Sequence, residues 1–89
     1  MVCYADAIKL LHLFEKNDTQ VLGWEGWLKY ENGSIGPSQK YQGTVDLSEM
    51  TNTSAIALVK STIMQAHTEW EKHPEVNRAV LLFCIITKT

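Results

Sequence analysis

Side chains able to do chemistry are few in this 89-residue chain, and their spacing gives them little to work with. His12, His67 and His73 are scattered, none opens an H-E-x-x-H pair, and no C-x-x-C is present. Cys3 and Cys84 stand near opposite ends, so a metal site built from them and the histidines has no local geometry to assemble it. Glu69, Glu71 and Glu75 gather around a helix end, where carboxylates are ordinarily solvated. Gly33, Gly36 and Gly43 fit neither G-x-G-x-x-G nor the Gly-Lys-Ser/Thr of a phosphate loop, and hairpin geometry accounts for them. Asn32-Gly33-Ser34 matches a glycosylation acceptor, with no other sign of secretion beside it. The expectation is no catalytic residue, no metal and no cofactor.

What remains is aromatic. Trp24 and Trp27 have opposite parity in a strand, so with Trp24 inside, Trp27 faces outward between Glu25 and Lys29, with Tyr41 or Lys40 across the hairpin. Tryptophan is enriched in binding hot spots because it buries much area at little entropic cost. Trp27, Lys29, Tyr41, Glu25 and Lys40 are therefore the candidate partner-binding residues. The plainer alternative is that Trp27 packs beneath the first helix or within a covered second face of the sheet.

The elements that position these residues follow from periodicity. Tyr4, Ala7, Ile8, Leu11 and Phe14 recur at helical spacing over residues 4–16, and Leu10 and Leu13 widen that apolar arc. Asn17-Asp18 tolerates the left-handed conformation that ends helices. From Gln20 to Tyr30, Leu22, Trp24, Leu28 and Tyr30 share the parity expected of a core face. Gly23 and Gly26 predict a bulge or a close approach by another backbone. Asn32-Gly33 predicts a type I′ hairpin turn with both central residues at positive φ. Gly36-Pro37 breaks or bulges the returning strand, which resumes from Gln39 to Leu47 with Tyr41, Val45 and Leu47 on one face. Thr53 or a neighbour caps a helix of about 20 residues and about 30 Å. Its stripe is Ile56, Val59, Ile63, Ala66 and Trp70, and Pro74 ends it. The β-rich run within Asn77–Lys88 makes the last strand.

Helix, strand, strand, helix, strand is thus the expected order of one α+β domain over residues 1–89. A right-handed crossover places the third strand beside the first, giving a small, mainly antiparallel three-stranded sheet of order 2-1-3 with the long helix on one face. The last strand is apolar at both parities, so both its faces call for cover. Helices on opposite faces would supply it. Failing that, a second copy of the chain or another protein must.

Composition fits a soluble domain with a thin core: 45% hydrophobic, 20% charged, 8 Lys+Arg against 10 Asp+Glu. The charge of −2 is spread as −1, −1 and 0 over residues 1–19, 20–46 and 47–89, and Arg78 is the single arginine. Nucleic acid, which calls for clustered Lys and Arg, is disfavoured as a partner. The longest apolar run, Ala79 to Ile86, is far short of the about 20 residues that span a membrane. An acid at Asp6 where a secretion signal carries positive charge, and only two cysteines, point to a reducing cytoplasmic setting.

No family resemblance emerges from these residues. The function expected is a small non-enzymatic protein-binding module acting as a homodimer: an inhibitor, immunity-type or regulatory protein of the size that phages and mobile elements encode. Its partner is another protein or a second copy of itself. One alternative is a small-ligand or nucleotide-binding protein with an aromatic pocket at the hairpin. Another is a compact histidine-dependent enzyme.

Overall fold

A computed structural model describes residues 1–43, 47, 49–73 and 78–88. Helix α1 (Tyr4–Lys16) leads into strands β1 (Val21–Lys29) and β2 (Ile35–Gln42), then helix α2 (Asn52–Lys72) and strand β3 (Val80–Thr87). The strands form one antiparallel sheet of order β2-β1-β3, so this is the α+β, 2-1-3 arrangement that the periodicity predicts.

Both helices lie on the same face of that sheet. Trp24 of β1 and Phe83 of β3 pack their rings 5.4 Å apart on it. Thr62 of α2 accepts a hydrogen bond from the Trp24 indole at 2.8 Å, and Tyr4 of α1 sets its ring 6.2 Å from that of Phe83. The helices also clasp each other, with the rings of Tyr4 and His67 stacked 3.9 Å apart and 1° from parallel. His67, which sits beside the apolar stripe in sequence, is thereby absorbed into helix packing. The stripe Ile56, Val59, Ile63, Ala66 and Trp70 is buried throughout and closes the core over Leu28 and Leu81.

The helix ends follow local chemistry. The Thr51 hydroxyl accepts from the Ser54 N–H at 3.2 Å and so caps α2. His73 is its C-cap, and Pro74, expected to end the helix, lies outside the described residues. Asp18, at φ 55°, provides the left-handed residue after α1.

Three local readings change. The β1–β3 register shifts between Val21 and Gly23, which puts Val21 in the core at 0% exposure and leaves Leu22 half-buried. One extra residue in a strand reverses its alternation, so parity counted from Trp24 gave the wrong inner residue. The hairpin is not type I′, because Asn32 lacks positive φ and Gly33 alone has it, at 90°. Tyr30 O accepts from Gly33 N at 2.9 Å and Tyr30 N donates to Ser34 O at 2.9 Å. That is a three-residue loop with glycine at its left-handed position. The Asn32 side chain folds onto Ser34 N at 3.0 Å. Finally, β2 is not broken at Gly36-Pro37, which pair with Leu28 and Trp27, and it ends at Gln42; Val45 lies outside the described residues, and Leu47 is buried without being in a strand.

Candidate functional site

With both helices on one face, the other face of the sheet carries no layer of its own among the described residues. Cross-strand partners share a face, so its rows follow from the register. Ile35, Lys29 and Val80 form one row, Pro37, Trp27 and Leu82 the next, and Gln42, Glu25 and Cys84 the third, with Ile86 beyond. Trp27, Leu82, Cys84 and Ile86 are half-buried, while Val80 and Ile35 are 52% and 46% exposed. This is an apolar surface with two charges on it.

Those charges are Glu25 and Lys29, two residues to either side of Trp27 on the same strand and face. Neither makes an ion pair or side-chain hydrogen bond with any described residue. The Trp27 indole Nε1 is buried and has no acceptor among the described residues. An unpaired buried donor costs about 1–3 kcal/mol, so the ring is held there by apolar contact alone.

Of the five residues singled out in the sequence, Glu25, Trp27 and Lys29 come together on this face. Tyr41 and Lys40 do not. Tyr41 is 4% exposed and meets Trp70 edge-on at 5.8 Å, on the helix side of the sheet. Lys40 pairs with Glu69 of α2 at 3.3 Å, also on the helix side. The cause is an insertion in β2: between the pairs Trp27–Pro37 and Glu25–Gln42, the four residues Ser38 to Tyr41 stand against Gly26 alone. The bulge brings the Tyr41 carbonyl oxygen onto the Gly26 Cα, where any Cβ would collide with it. Gln42 holds the bulge by donating from its amide to Gly26 O at 3.1 Å and to Ser38 O. The Lys40 ammonium is held above its ordinary 10.5 by its hydrogen bond to Glu69, then by the Tyr41 hydroxyl and the Glu69 charge.

The exposed apolar neighbours Ile35 and Val80 were not singled out in the sequence. Val80 could have been, since it opens the doubly apolar run. Ile35 could not, because its register depends on the hairpin loop.

Elsewhere, a groove of about 200 Å³ between the helices is floored by Leu11, Ile56 and Ala57 and rimmed by His12, Glu15 and Lys60. Among the described residues no three His, Cys, Asp or Glu side chains converge as a metal site would need. Among the described residues no helix is long and apolar enough to cross a membrane.

Over the described residues, fold and face together define a class: a two-helix, three-strand α+β domain with helices sealing one side of its sheet and not the other. Comparison with family models, curated proteins and solved structures returns no match.

Proposed function

We propose that the protein is a small non-enzymatic protein-binding module, an inhibitor, immunity-type or regulatory protein of the cytoplasm, that docks through the open face of its sheet around Trp27. The observation that supports this is the run Trp27, Leu82, Cys84, Ile86 and Val80 on a face that neither helix covers. Contiguous exposed apolar surface on a small domain marks an interaction site, and a central tryptophan suits a hot spot.

Affinity capture from the native host tests the reading. Trp27→Lys and Leu82→Lys place charge on the open face, and Met64→Lys places it on the outer side of α2, where Met64 is 44% exposed. The protein captured by the wild type should persist with Met64→Lys and disappear with either face variant, all three being checked for native circular dichroism. Undiminished capture by folded Trp27→Lys and Leu82→Lys would overturn it.

A further inference from the structure

We infer that the open face is covered by a second copy of this chain, two sheets packing face to face about a two-fold axis that crosses β1 at Trp27. The inference rests on the open-face reading above and names its occupant.

The open face is self-complementary. A two-fold interface sets each patch against itself, so a face can pair with its own copy only if its charges meet their opposites under that rotation. Glu25 and Lys29 have opposite sign, lie equally far from Trp27 along one strand, and are free of partners among the described residues. An axis lying between the sheets, perpendicular to β1 at Trp27, reverses the strand direction. It puts Glu25 of each protomer over the partner's Lys29. The same operation lays β3 over β3, so the rows containing Leu82 meet across the axis. Aligned sheets pack in this way about 10 Å apart, with inner-face side chains interdigitating.

Side-by-side pairing of sheet edges is the competing way to make a dimer, and both edges are obstructed. On the β3 edge, Val2 occupies Phe83 by exchanging two backbone hydrogen bonds, at 2.9 and 2.8 Å. On the β2 edge stand Pro37 and the bulge from Ser38 to Tyr41. Proline and bulges are the usual protections of an exposed edge. The face is the surface left open.

Size sets the strength. Three strands about 4.8 Å apart and eight residues long at about 3.3 Å each make a patch of roughly 14 by 26 Å. That is under half of the about 800 Å² a standard interface takes from each partner, so the self-association is of the weak, reversible class.

Sedimentation velocity over a concentration series, on full-length chains of native circular dichroism, provides the test. Wild type should shift with concentration from the 10.1 kDa chain to twice that mass. Glu25→Lys gives the face two lysines and Lys29→Glu gives it two glutamates, so each alone should self-associate about a hundredfold more weakly. An equimolar mixture of the two should recover the dimer, as should the double variant Glu25→Lys/Lys29→Glu. A wild type that stays monomeric throughout overturns the second copy as occupant. Trp27-dependent capture of another protein would in that case still stand. A dimer indifferent to both single variants and to their mixture also overturns the inference, since it must use another surface. If Trp27→Lys changes neither self-association nor capture, the open-face reading falls with it.

Discussion

The two faces of one sheet carry the same kinds of residue and are treated oppositely. Trp24 is 2% exposed, its ring on Phe83 and its indole N–H on Thr62; Trp27, three residues on, is half-buried with its N–H unpaired. Leu81 and Phe83 are sealed under helices, whereas Leu82 between them and Cys84 after them are not. Val80, Leu82, Cys84 and Ile86 lie on the side that neither helix reaches, the last three half-buried and Val80 exposed. The contrast locates the thin core: the helices seal one face of the sheet and leave the other, among the described residues, without a helical layer.

The sharpest way to break that contrast is to make the same change on both sides. Trp24→Ala should cost about 3–5 kcal/mol in urea unfolding, the range for emptying a filled core site. Trp27→Ala in a dilute monomer should cost only about 1 kcal/mol. Equal losses would mean that the second face is already as well packed as the first. Next in size is Gly26→Ala. Its methyl group would meet the Tyr41 carbonyl and push out the bulge that keeps Tyr41 on the helix side, at roughly 2 kcal/mol. A neutral result would remove the close approach from the account.

Smaller again, Thr62→Val strands the Trp24 indole N–H in the core and should destabilise by about 1–2 kcal/mol while leaving self-association unchanged. The smallest effect belongs to Lys40 on the helix side. Its value is raised in the folded state, so the contribution of the Lys40–Glu69 pair is complete below the ordinary 10.5 and is lost as pH rises through the folded value. Thermal melts of wild type and Lys40→Met should therefore converge above that point. The pair is surface-exposed, and surface pairs contribute little.

These variants also mark what could be read from the residues alone. The stripe from Ile56 to Trp70, the 2-1-3 order and the outward parity of Trp27 were legible because periodicity over long, regular stretches reports which side is buried. Tyr41 and Lys40 were misplaced across the hairpin because a bulge of four residues against one cannot be counted from sequence. Gly26 and Gly36-Pro37 mark its neighbourhood without giving its length. Val21 and Leu22 exchanged roles for the same reason at a smaller scale. That both helices would choose one face is a tertiary outcome, set by contacts such as Tyr4 on His67 and on Phe83 that join residues distant in the chain.

The central claim is that a second copy of the chain covers the open face, and the chain carries its own probe of it. Cys84 sits on that face and Cys3 is exposed at the start of α1. Alkylation rates of the two thiols, followed by mass spectrometry across a concentration series, should diverge: Cys84 slows as self-association proceeds while Cys3 reacts at a constant rate. Rates for Cys84 that do not change with concentration would contradict the account.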